Sequence, residues 1–98
     1  MNYKPQYKFK DCKNIKELPF DFYVPKYNLC IEYDGECHFK KINWNGKMTE
    51  KEMENKLKYY QIRDKIKNDY CKSHNINLLR IKYDEDIEEK LNSYFKIN

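Results

Sequence analysis

Residues 20–24 (FDFYV) and 29–34 (LCIEYD) each alternate along their length, and four residues separate them. A period of two puts side chains on opposite faces of an extended chain. Between the runs, Pro25, Lys26, Tyr27 and Asn28 are turn residues, with Pro25 setting φ at one corner. The pattern predicts a β-hairpin. With the turn centred between Lys26 and Tyr27, paired residue numbers sum to 53, which sets Asp21 opposite Glu32. Phe20, Phe22, Val24, Leu29, Ile31 and Tyr33 then share one face. Asp21, Tyr23, Cys30, Glu32 and Asp34 share the other.

Three acids on one face of a strand pair repel one another, since like charges across a ladder destabilise it. Two readings account for them. The face is solvated, or a cation sits among the carboxylates. Carboxylate oxygens suit a hard divalent ion such as Mg²⁺, which takes one or two carboxylates with water and phosphate oxygens. Gly35, next in the chain, allows the backbone to bend away.

The chain as a whole leaves room for one domain. Its length is 98 residues, and ten of its hydrophobic residues are tyrosine, so the core is small and aromatic. A mean hydropathy of −1.14 and the lack of a long apolar run exclude a membrane-spanning helix. MNYKPQYKFK has no apolar stretch of the secretory kind. Together with four cysteines (Cys12, Cys30, Cys37, Cys71) that form no C-x-x-C pair, this predicts reduced thiols in a cytoplasmic protein without structural zinc. The net charge of +4 fits a nucleic-acid partner. It fits equally a coding bias toward Lys, Asn, Tyr and Ile, because the chain has 18 Lys, 2 Arg and no Ala.

Residues 1–18 read as irregular. After the hairpin, residues 40–48 form a polar loop. Thr49 followed by Glu52 is a capping box that opens a long helix over about 50–73. Met53, Leu57, Tyr60, Asp64 and Cys71 lie along one stripe of it, with Ile62, Ile66 and Tyr70 alongside. Asn75 suits a left-handed cap. Residues 76–83 (INLLRIKY) read as a strand, and IEEKLNSYFKI as a last helix capped by Asp84 or Asp86. The predicted fold is α/β (α+β): a hairpin, long helix, strand and C-terminal helix on a small mixed sheet.

Two residues of this framework stand out chemically. His38, three residues after Gly35, is a surface or core histidine or a proton-transfer group. Asp64, on the apolar stripe of the helix, is either part of a helix-face ion pair with Lys65 or Lys67 or a partner for another site group. His74, near the helix C-terminus, is read as structural. Trp44, in the polar loop, covers the core or stacks on bases.

Three blocks, PFDFYVPKYNLCIEYDGECHF, RDKIKNDYC and NINLLRIKYDE, resemble in order and spacing the phage- and homing-type endonuclease domains related to very short patch repair endonuclease, within the PD-(D/E)XK superfamily. The resemblance covers about nine-tenths of the chain. It implies a restriction-endonuclease-like fold and an E-D-x-H-D site. Asp21 matches the metal-holding aspartate, and the x position falls at Tyr33 or Asp34, giving a carbonyl or carboxylate ligand. His38, at the G-x-x-H spacing of the homing branch, matches the general base or acid. Asp64 matches the aspartate that positions it, and Glu32 is an alternate or outer ligand. The family's first glutamate comes from an upstream helix that has no counterpart before the hairpin here. Glu17 is the nearest acid and lies in the connection.

The resemblance therefore implies a Mg²⁺-dependent DNA endonuclease, with Mn²⁺ as a substitute ion. Lys40, Lys41, Lys65 and Lys67 are expected on phosphates and Trp44 on bases. RNA cleavage or junction resolution by the same chemistry is a variant of this reading. A competing reading keeps the fold without catalysis, as a nucleic-acid-binding or partner-binding module. The expected absence of the upstream helix exposes part of the sheet to a second copy or a protein partner.

Overall fold

The computed structural model describes residues 3–13 and 16–95. Four strands form one sheet in chain order: β1 (Lys4–Lys13), β2 (Glu17–Val24), β3 (Leu29–Asp34) and β4 (Asn77–Lys82). The pairs β1–β2 and β2–β3 are antiparallel, and β3–β4 is parallel. Helix α1 (Glu50–Ser73) makes the connection from β3 to β4, and α2 (Ile87–Phe95) follows. This is the mixed α/β arrangement expected from the sequence, with one strand more.

The extra strand is β1, in a segment expected to be irregular. Its Gln6-Tyr7-Lys8-Phe9-Lys10 stretch alternates, so Tyr7 and Phe9 turn inward while Lys8 and Lys10 stay exposed. Pro5 is accommodated because β1 is an edge strand, and lysines along such an edge discourage pairing with other chains. β2 starts at Glu17, so Glu17 is a strand residue rather than part of a connection. Residues 1, 2, 14 and 15 of the segment lie outside the described residues, as do residues 96–97 of the last predicted helix.

The hairpin has the predicted register: Phe22 faces Ile31, Tyr23 faces Cys30 and Val24 faces Leu29. Its turn is a single 3₁₀ turn, Pro25–Tyr27, closed by Asn28 in the left-handed region (φ 47°). The alternation of β2 breaks at Asp21, however. Phe20 is fully buried in a cluster with Cys12, Cys30 and Cys71 on the α1 side. Phe22 lines a groove on the opposite face, with Val24, Ile31 and the α2 residues Leu91 and Phe95. The two phenylalanines were expected on one face. Between them the Asp21 carboxylate is hydrogen-bonded to β3, and opposite Asp21 in β1, Gln6 has a φ of 49°. A local kink there turns successive side chains to different layers. The groove is about 460 Å³ in volume and lies between the sheet and α2.

Helix α1 has the predicted bounds. The Thr49 side chain accepts the Glu52 N–H at 3.1 Å, and the Glu52 carboxylate accepts the Thr49 N–H at 3.0 Å. At the other end Asn75 is left-handed (φ 55°). Lys67 and Cys71 are its buried residues, and Ile62, placed beside the core stripe from the sequence, is exposed. Lys67 extends the series Met53, Leu57, Tyr60 and Asp64 at helical spacing. All four cysteines are free. Among the described residues no helix is long and apolar enough to cross a membrane.

Candidate active site

The α1 face of β3 carries Cys30, Glu32 and Asp34, all buried. Cys30 belongs to the core. Glu32 and Asp34, nearer the strand end, are placed where α1 crosses and must find partners, because an unpaired buried charge costs several kcal/mol. Each finds a cation from a different element.

Glu32 is bridged on both oxygens. Oε2 accepts from Lys67 Nζ at 2.7 Å, and Oε1 accepts the backbone N–H of Asp21 at 2.7 Å. Burial pushes the Glu32 carboxyl above its usual range, and Lys67 pulls against that shift. Each oxygen of Glu32 thus accepts one hydrogen bond, and through Oε1 the carboxylate holds the Asp21 main chain. Lys67, expected on DNA phosphates, is a buried ion-pair partner of this carboxylate at the wall of the cleft described below.

Asp34 is held by Arg80. Nη1 donates to Asp34 Oδ1 at 2.7 Å, Nη2 donates to the Asp64 carbonyl at 3.2 Å, and Nε donates to Asn68 Oδ1 at 2.8 Å. One guanidinium thus joins β3, β4 and two turns of α1. Burial raises the Asp34 carboxyl, and Arg80 opposes it.

The turn after β3 spans Glu36–His38. Gly35 has a φ of −70°, so the bend comes from the turn and not from a glycine-only conformation. This turn brings His38 Nδ1 within 2.7 Å of Asp64 Oδ2, and its ring centroid within 5.2 Å of the Tyr60 ring. An ionised carboxylate only accepts, so Nδ1 carries the proton and donates it. Nε2 of the neutral ring is then the nitrogen able to take a proton. Asp64 is therefore paired with the imidazole, and the helix-face ion pair expected as the alternative does not form: Lys65 bonds Asp69 at 2.8 Å.

Asp21 completes the arrangement. Its Oδ2 accepts the Tyr33 backbone N–H at 2.7 Å, and Gln6 reaches Oδ1 at 3.4 Å. The carboxylate is thereby fixed beside the Tyr33 main chain. Asp21, Glu32, Tyr33, His38, Tyr60, Arg63, Asp64 and Lys67 line a single cleft of about 190 Å³. The acids, the imidazole and the helix-borne aspartate named from sequence converge there, with Asp34 just behind His38 at 3.8 Å.

Two places for a cation follow. Ligand atoms of Asp34, His38 and Asp64 lie within 4.8 Å of one another. The Arg80 guanidinium already sits against both carboxylates, 2.7 Å from Asp34 and 3.7 Å from Asp64, and His38 Nδ1 is committed to Asp64. That triad fits a cation poorly while its guanidinium and its dyad are in place. Asp21 has the chemistry for a hard ion: a cleft-lining carboxylate next to the Tyr33 backbone. Of the two alternatives at the x position, Tyr33 lines the cleft with Asp21 and Asp34 does not.

The remaining candidates lie outside the cleft. Lys40 pairs with Glu36 at 3.5 Å and Lys41 with Glu50. Trp44 is 52% exposed rather than part of the core, with Lys56 Nζ 5.6 Å from its ring centre. His74 caps α1 and stacks on Tyr70, as a structural histidine does. Sequence reasoning missed Arg63 and Arg80. The signal was composition: both arginines of a chain with 18 lysines belong to this site. Guanidinium, unlike ammonium, is suited to several planar hydrogen bonds at once.

The chain matches no family model, no curated protein and no solved structure.

Proposed function

We propose that this protein is a metal-dependent endonuclease that hydrolyses phosphodiester bonds in DNA. The observation that carries this reading is one cleft lined by both an Asp21 carboxylate fixed at the Tyr33 backbone and a His38–Asp64 pair.

Charge balance supports it. The cleft lining carries three acids, Asp21, Glu32 and Asp64, against two cations, Arg63 and Lys67, while Asp34 and Arg80 pair with each other behind it. A cleft with an excess carboxylate repels a phosphodiester until a divalent cation is added. Asp21 and the Tyr33 carbonyl are the groups to hold Mg²⁺, with Mn²⁺ as a substitute. When bound, such an ion supplies charge stabilisation at the phosphate oxygens and the leaving oxygen.

The chain's own groups account for the rest. Glu32 and Lys67 hold the Asp21 backbone so that its carboxylate keeps one direction. Asp64 fixes the His38 tautomer with Nδ1 protonated, so Nε2 receives a proton from the attacking water. The imidazolium that results is stabilised by the same carboxylate. Arg80 keeps Asp64 and Asp34 in register by bonding both strand and helix. Arg63, at the rim, faces an incoming phosphate.

Supercoiled plasmid incubated with Mg²⁺, beside an EDTA control, tests the reading. Wild-type protein nicks or linearises it with metal alone, and Asp21→Ala and His38→Ala each abolish the product. Cleavage that persists in both variants, or wild-type protein inert with Mg²⁺ and Mn²⁺, overturns it.

A further inference from the structure

A row of half-exposed aromatic rings leads out of the cleft along α1, and the proposed function leaves it without a role. It starts inside, where the Tyr60 ring lies against His38. The Tyr59 ring, 50% exposed, stands edge-on to Tyr60 with centroids 5.6 Å apart. The Arg63 guanidinium lies 5.0 Å from the Tyr59 ring centre and donates to the Tyr59 hydroxyl at 2.7 Å. One turn earlier on α1, Lys56 reaches over Trp44, the single tryptophan.

We infer that this row is a stacking surface for unpaired nucleotides, so that the preferred substrate is single-stranded DNA or a duplex with an unpaired segment next to the cleaved bond. The inference rests on the nuclease reading of the cleft.

Three observations favour unpaired bases over an intact duplex. Tyr59 and Trp44 are each about half exposed, and each has a cation over its ring, Arg63 and Lys56, so that ring and charge are presented together. Bases inside a duplex have both faces covered by their neighbours, whereas unpaired bases stack on aromatic rings with little regard to sequence. Neither Lys56 nor Arg63 makes an ion pair among the described residues, while Lys40, Lys41, Lys65 and Lys67 all do. The two cations beside the rings are thus available to backbone phosphates, about two helical turns apart.

Trp44 makes the test direct, because its fluorescence reports on this surface alone. The protein is titrated with Ca²⁺ in place of Mg²⁺, using short oligothymidylate and, separately, blunt duplex of equal length at the same salt. Dye-labelled strands followed by anisotropy give the affinities. The single strand is expected to quench Trp44 and to bind about tenfold more tightly than the duplex. Tyr59→Ala and Trp44→Ala each weaken single-strand binding roughly tenfold, with circular dichroism unchanged. Lys56→Ala lowers the salt slope by about one. Equal or tighter duplex binding, absence of quenching, or unchanged affinity in both aromatic variants overturns the inference. Plasmid cleavage without single-strand preference sinks this inference alone. Single-strand binding with quenching but no cleavage of any substrate sinks the nuclease reading instead.

Discussion

Lys67 Nζ lies 2.7 Å from Glu32 Oε2, joining the middle of α1 to β3 across 35 positions of sequence, with both side chains nearly sealed from water. Such a pair is poor evidence of net stabilisation, since desolvating two charges offsets most of their attraction. Its value here is positional. Glu32, fixed by Lys67, holds the Asp21 main chain through its second oxygen.

Lys67→Met leaves that carboxylate buried and alone, and is expected to cost about 3–5 kcal/mol in urea unfolding. The sign of its pH dependence follows from burial. The Glu32 carboxyl already lies above its ordinary value of 4.5 in the folded protein, and loss of Lys67 raises it further. Stability tied to a raised carboxyl is present below its unfolded pKa and is lost as pH rises through its folded pKa. The variant should therefore come closest to wild type below about pH 4.5 and weaken toward neutrality. Adding Glu32→Leu should recover most of the loss; a double variant as unstable as Lys67→Met rules out the charge explanation.

Asp64→Asn keeps the side-chain volume while removing the charge that orients His38. Plasmid cleavage is expected to fall by about 100-fold or more, with far-UV circular dichroism retained. Cleavage within a factor of a few of wild type removes Asp64 from the dyad.

Arg80→Leu strips Asp34 of its cation and the Asp64 carbonyl of a donor. Urea midpoints are expected to show a loss of about 3 kcal/mol. Arg80→Lys should not restore the protein, since one ammonium cannot reach acceptors on β3 and on two turns of α1 in the plane that the guanidinium uses. Full rescue by lysine argues that charge alone matters here.

Thr49→Ala removes the acceptor for the Glu52 N–H at the start of α1, and should cost about 1 kcal/mol at neutral pH. The reciprocal bond from the Thr49 N–H holds the Glu52 carboxyl below its usual range. A lowered carboxyl contributes stability above its unfolded pKa, which is lost as pH falls through its folded pKa. The gap between wild type and Glu52→Gln should accordingly close in acid, as followed by thermal unfolding across pH.

Several features of the fold and site were legible in residue order because they are local. The register of β2 on β3 follows from a four-residue connection and two alternating runs. The bounds of α1 follow from Thr49, Glu52 and Asn75, whose backbone bonds reach only a few residues away. The meeting of His38 with Asp64 was suggested by the family resemblance, not by spacing. Other features depend on which segments the sheet brings side by side. β1 became a strand because it pairs with β2, although its alternation is short and lysine-rich. The reversal of faces between Phe20 and Phe22 arises because the Asp21 carboxylate is tied to β3. Lys67 and Arg80, written like surface cations, became the partners of buried Glu32 and Asp34 because parallel pairing of β3 with β4 and the crossing of α1 enclose those acids. Charge neutralisation inside a low-dielectric layer acts between groups tens of residues apart, and no periodicity in a single chain encodes that distance.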